Sequence, residues 1–155
     1  LNAADPRVFA TNQLQIAVPP SNPASISTFA DLTKPDVKLV ICAPAVPCGA
    51  ATVKAEKATG VTLKPVSEEQ AVTSVLSKVQ AGEADAGLVY KTDVIAAGET
   101  VAGIEFPESS EAINNNPVVL LKGAPQAELG QAWIDLLFSD QGQKVFAEAG
   151  FGAAQ

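Results

Sequence analysis

Apolar positions along this chain fall into two alternating periods. Gln13–Val18 (QLQIAV) and Val37–Cys42 (VKLVIC) are short runs rich in β-branched residues and bounded by proline, and both read as strands. VTLKPV (61–66), AGLVY (86–90), VAGIEF (101–106) and PVVLL (117–121) read the same way. Between them the spacing changes. Val72, Val75, Leu76 and Val79 stand at i, i+3, i+4 and i+7, one face of a helix that Gly82 stops. Residues 49–59 are Ala-rich with scattered Lys and Glu and predict a helix, with Gly60 just past its end. KTDVIAAG (91–98) predicts a short helix behind a Thr/Asp cap. Leu129, Ala132, Trp133, Leu136 and Leu137 form another stripe, followed by a helix that Ser139 or Asp140 caps and Gly150 ends. The segment PPSNPASISTFADLTKP leaves room for one short helix around Phe29–Leu32. There is no internal repeat. Strands alternating with helices predict an α/β fold with a largely parallel sheet, flanking helices and right-handed crossovers.

Composition narrows the function. At 155 residues the chain is about one domain long. The net charge of −7, with no Lys/Arg cluster, argues against nucleic acid or an anionic membrane as partner. It leaves room for a small anion held by local N–H groups. No window holds the ~18 continuous apolar residues of a membrane span. The chain has no histidine, which excludes His-based catalysis and His metal ligands. It has no methionine and opens on LNAADPRVFATNQ, which reads as the middle of a processed or truncated polypeptide.

Cys42 and Cys48 are the only cysteines, too few for a structural zinc site. Two readings stand: separate buried thiols, or a disulfide clamping the turn between them. The disulfide is preferred, and it requires an oxidising, extracytoplasmic setting.

That turn opens APAVPCGAATVKAEKATG (43–60), a strand-to-helix connection. In open α/β sheets ligands bind beyond the carboxyl ends of the strands, where loops enter helices. Three features converge there: the turn after 37–42, the helix start near Ala71–Val72, and Tyr90 at the end of 86–90. Helix N-termini carry unpaired N–H groups and partial positive charge, and a tyrosine hydroxyl adds a neutral donor. Such a set suits a tetrahedral oxyanion that only accepts hydrogen bonds. Plainer readings stand beside it. Tyr90 also reads as a core-edge residue, and Trp133 as core. Glu68 and Glu69 read as first-turn acids of the following helix, and Asp85 and Asp93 as cap or turn residues rather than metal ligands.

KVQAGEADAGLVYKTDV (78–94) and SDQGQKVFAEAGF (139–151) resemble the second lobe and the C-terminal helix of the extracytoplasmic solute-binding proteins of ABC importers. VPCGAAT (46–52), SEEQAVTSVL (67–76), Tyr90 and FPESSEAINNNPVVLLKGA (106–124) are most similar to the molybdate/tungstate-binding group, which has Val-Pro-Ala-Gly at the first of these. The resemblance covers nearly the whole chain. It implies a periplasmic-binding-protein fold of type II, with a ligand-binding second lobe at 13–115. Residues 116–155 would then be a return crossover and C-terminal helices of an incomplete first lobe. It implies three contacts to molybdate or tungstate: the backbone N–H of Cys48, the backbone N–H of Val72 (or Ala71, one register away) and the Tyr90 hydroxyl. It implies no cofactor, no metal other than as bound oxyanion, no enzymatic activity, ABC permease subunits as partners, and an exported or lipid-anchored location. The family closes two lobes on its ligand. The N-terminal part of the first lobe has no counterpart here, so weak binding by this chain alone is expected. Leu129, Trp133, Leu136, Leu137, Val145 and Phe146 are then expected to dock elsewhere, as a dimer or a domain swap. Sulfate or another oxyanion, and a truncated paralogue acting as an interaction module, are the alternatives.

Overall fold

The computed structural model describes residues 5–155. In chain order the elements are β1 (Arg7–Asn12), β2 (Leu14–Val18), β3 (Leu39–Cys42), α1 (Pro47–Thr59), β4 (Ser67–Glu69), α2 (Val72–Gln80), β5 (Ala86–Tyr90), α3 (Lys91–Ala97), β6 (Ala102–Ile104), β7 (Asn114–Val118), α4 (Ala127–Phe138) and α5 (Asp140–Glu148). Short 3-10 turns cover Ala30–Thr33, Gly98–Thr100 and Pro107–Ala112. They form two compact units, Gln13–Asn114 and a second made of the N-terminal residues to Asn12 with Asn115–Gln155.

The larger unit is a five-stranded sheet in the order β4-β3-β5-β2-β6. β3 is parallel to β4 and β5, while β2 is antiparallel to both β5 and β6. Four strands therefore share one direction and β2 runs against them. The α/β class is as expected, but the sheet is mixed. The four co-directional strands need helical crossovers, and β2 enters from outside that series.

Alternation along the strands divides the core. Leu14, Ile16, Val18, Leu39, Ile41, Ala86 and Leu88 face one side, with Ala51 and Ala55 of α1, Phe29 and Phe106. Ala17, Val40, Cys42 and Val89 face the other, under Val75 and Val79 of α2. Val75 and Val79 are wholly buried, and Val72 and Leu76 pack at the edge of the same cluster, as the helical spacing predicts. At Gly87 any side chain would strike the Val75 and Val79 methyls, so the glycine lets α2 lie close on the sheet.

Three strand expectations shift. The run 61–66 forms no strand: the ladder starts at Ser67 opposite Val40, and before it only Val66 N–H reaches β3, donating to Leu39 O at 2.8 Å. Pro65 has no N–H to give, and Leu63 N–H goes instead to Glu56 Oε1 at 2.7 Å. In 101–106 only Ala102–Ile104 pairs, because Pro107 opens a 3-10 turn. The strand expected at 117–121 lies at Asn114–Val118, where Asn116 Nδ2 donates to Ala10 O at 3.3 Å.

The smaller unit pairs β1 with β7. β1 was not expected, since RVFATN carries no continuous apolar run. It is tied by Thr11 N–H to Gly152 O at 3.1 Å and Gly152 N–H to Thr11 O at 2.8 Å. Phe146 sits between Phe9 and Phe151, with centroids at 5.3 and 5.8 Å, and the Arg7 guanidinium lies 3.7 Å from the Phe138 ring centroid. Ser139 caps α5 by accepting from Gly142 N–H at 3.1 Å. Ile134 and Leu137 are buried, whereas Leu129, Trp133, Leu136 and Val145 are exposed. Trp133, 61% exposed, is thus not a core residue of this unit.

Candidate functional site

The strand order places β4, β3 and β5 side by side and co-directional. Their carboxyl ends therefore meet along one edge of the sheet, and each leads to the start of a helix. The three features singled out in the sequence come from these three ends.

The β3 end turns through Ala43–Val46 into α1. Pro47 occupies the first helical position, pre-set for φ and without an N–H, and no side chain caps the turn. Cys48 follows, buried, with its backbone N–H in the first turn, where the helix itself supplies no acceptor. Cys48 is joined to Cys42 by a disulfide, with 5.6 Å between the Cα atoms. The turn is also pinned by Ala43 N–H donating to Glu69 O at 2.8 Å and Val46 N–H to Ala43 O at 3.1 Å. Gly49 is required by space: a Cβ there would overlap the carbonyls of Ala43 and Cys42.

Closing a loop of this length by a disulfide is worth about 2 kcal/mol in the chain-entropy view. The Cys42→Ala/Cys48→Ala variant is expected to lose about that much in a denaturant titration. Loss of less than a few tenths would show that the turn is held by its hydrogen bonds alone.

The β4 end enters α2 through Gln70 and Ala71. Ala71 is extended and offers no side-chain cap, so the Val72 N–H also opens an uncapped helix start. Val72 packs on the same cluster as Cys42 and Cys48. Tyr90, which ends β5, touches that cluster too. Its N–H donates to Asp93 Oδ2 at 2.8 Å, so Asp93 is a cap residue as expected. Its hydroxyl is buried and has no hydrogen-bond partner. Burial, and secondly the Asp93 charge, push the Tyr90 pKa upward, which keeps the hydroxyl a neutral donor. Burial also raises the Asp93 carboxyl, against the Tyr90 N–H that lowers it. Asp85 is likewise a turn residue, accepting from Lys38 N–H at 2.8 Å.

Glu68 and Glu69 are not first-turn acids of α2. They lie in β4, because the ladder takes up the residues after Pro65. Glu69 stands opposite Cys42 and forms a partly buried ion pair with Lys78 of α2. Ser67 joins it, donating to Glu69 and accepting from Lys78 Nζ at 3.1 Å. Lys78 first, then Ser67, hold the Glu69 carboxyl below its ordinary pKa. Sequence reasoning missed this cluster because it assigned Glu69 and Lys78 to one helix. A strand start after Pro65 was the available signal. Also missed was Gln15, whose buried Oε1 has no partner. Among the described residues no group of three or more Cys, Asp or Glu could hold a metal ion, and no helix is long and apolar enough to cross a membrane.

A family model described as bacterial extracellular solute-binding protein matches residues 1–152. The chain belongs to this family. It is a family of extracellular solute-binding proteins and not of enzymes. The molybdate-binding protein ModA of Mycobacterium tuberculosis is 42% identical to this solute-binding chain over 151 residues, covering 97% of it and 58% of ModA. The putative ABC transporter substrate-binding lipoprotein YvgL of Bacillus subtilis is 27% identical over 152 residues, 92% of this chain and 56% of that protein. The chain thus spans a little over half the length of these curated relatives. Among solved structures, the periplasmic molybdate-binding protein of Azotobacter vinelandii aligns with a TM-score of 0.79 at 16% identity, over 99% of this chain and 71% of that one. At that identity the match speaks for the fold, a periplasmic-binding-protein architecture over part of its length.

Proposed function

We propose that this chain contributes one side of a binding site for a fully ionised tetrahedral oxyanion, molybdate or tungstate, within an extracytoplasmic binding protein that serves an ABC permease. The observation that carries this reading is the buried, unpartnered Tyr90 hydroxyl at the strand edge that also starts two helices without side-chain caps. The contacts would be the N–H groups of Cys48 and Val72 and the Tyr90 hydroxyl. Each is a donor, so the site suits an ion with acceptors only. Phosphate that keeps a proton would set a donor against donors. The similarity to ModA, and to a lipoprotein named for an ABC transporter, supports the choice of ion, carrier role and location. We assign the ligand-binding lobe to 13–115 and the return crossover with the C-terminal helices to 116–155. Closed contacts within Gln13–Asn114 support that division.

A backbone amide NMR titration of the chain with molybdate tests the site directly and reads even millimolar affinity. The largest shifts are expected at the Cys48 and Val72 amides, with tungstate equivalent and sulfate and phosphate weaker. No shift at either amide at tens of millimolar molybdate would overturn the assignment.

A further inference from the structure

β5 passes into α3 without a linker: Tyr90 ends the strand and Lys91 begins the helix. Tyr90 thus stands just before a helix, a position usually given to Ser, Thr, Asp or Asn, whose short side chains cap the first turn. Tyrosine is too long for that, and its hydroxyl has no hydrogen-bond partner among the described residues. The direction in which the ring leaves the backbone must be set by other groups. Three hold the turn. Leu14 pairs with Tyr90 across the sheet, and Lys91 N–H donates to Gln13 O at 2.9 Å. The third is Asp93, whose Oδ2 accepts from the Tyr90 N–H at 2.8 Å, the half of a capping box that runs from the third helical residue back to the cap. Of these, only Asp93 acts through a side chain. α3 has little else to seat it. None of its residues is fully buried, and Val94 and Ala97 are its apolar contacts with the sheet cluster. Gly103 makes room for the first of them, since a Cβ there would stand 2.6 Å from Val94 Cγ1. Without the Asp93 carboxylate, a partly buried N–H loses its partner and the turn is free to shift.

We propose that Asp93 is a positioning residue for the oxyanion site: by accepting the Tyr90 N–H from within α3, it fixes the strand-to-helix turn and so aims the Tyr90 hydroxyl at the ligand. This inference rests on the proposed oxyanion reading. Asp93 does not touch the ligand and acts only through Tyr90. Its task needs an acceptor rather than a charge, and an amide oxygen can take the same bond.

The test compares Asp93→Ala, Asp93→Asn, Tyr90→Phe and the Tyr90→Phe/Asp93→Ala double variant by molybdate titration, with thermal melts alongside. Tyr90 is the only tyrosine of the 155 residues, so isotope-labelled tyrosine gives a ring NMR signal from this residue alone. Asp93→Ala is expected to weaken molybdate binding about tenfold, the lower end of what a partner that orients a ligand-binding side chain is worth. The shift of the tyrosine signal at molybdate saturation should shrink with it. Asp93→Asn should restore both, with affinity within about threefold of the parent. In the Tyr90→Phe background, Asp93→Ala should cost less than about threefold more, because its effect runs through the missing hydroxyl. If Asp93→Ala costs the same in both backgrounds, Asp93 supports the fold and not the aim of Tyr90, and the inference fails. Failure of Asp93→Ala to fold would overturn it in the same way. Unchanged binding in Asp93→Ala also overturns it while leaving the oxyanion reading intact. A parent chain with no molybdate response overturns both.

Discussion

Gly49→Ala is expected to lower stability by about 3 kcal/mol, or about 10 °C in melting temperature. The glycine is not there for its backbone freedom, since it lies within α1. It is there because the second step of the helix passes over the carbonyls of Ala43 and Cys42. A flexible side chain could move aside for a methyl group, but these are backbone atoms. Their segment is held by Ala43 N–H to Glu69 O, by Val46 N–H to Ala43 O and by the Cys42–Cys48 disulfide. The methyl group must therefore displace the helix start. Oxyanion affinity should fall with stability, because the Cys48 N–H moves with that start. A thermal melt of the variant within 2 °C of the parent, about the effect of a harmless surface change, would show that the turn yields.

Tyr90→Phe is expected to separate binding from stability. The hydroxyl is buried without a partner, so the chain bears its desolvation cost when no ligand is present. Removing it should leave stability unchanged or raise it by up to about 1 kcal/mol. If the hydroxyl donates to the oxyanion, the same change should weaken molybdate binding by roughly ten- to a hundredfold, the worth of a hydrogen bond to a charged group. Titration and denaturation of one sample decide the matter. Equal affinity in the variant would make Tyr90 a core-edge residue and remove it from the site.

How much of this was legible in the sequence depends on what each residue rests against. Elements buried on both faces announced themselves. β2, β3 and β5 are almost wholly buried, and their apolar runs mark them to within a residue or two. The helix of Val72–Gln80 was readable because one stripe packs on the sheet and the rest is wet. β1 was hidden and β7 displaced because β1 runs from an exposed Arg7 to a buried polar Asn12, β7 alternates without a buried residue, and their order comes from backbone pairing with distant residues such as Gly152. No local pattern encodes that partner. β4 was misplaced because a ladder begins where a partner strand is available, not where the apolar run does. The direction of β2 was likewise invisible, being set by neighbours from far along the chain. The helix starts and Tyr90 were visible as types at the right places. The unpartnered state of the Tyr90 hydroxyl, and the Glu69–Lys78–Ser67 cluster, needed three dimensions.

The disulfide has a further consequence for how the molecule is made. Cys42 and Cys48 are separated by only six positions, so their encounter needs none of the long-range strand pairing. Within these 155 residues they are also the sole pair, so a disulfide inside this segment can join only these two. Oxidation can therefore come before the sheet assembles, which would make this corner a fixed template around which the later crossovers are laid.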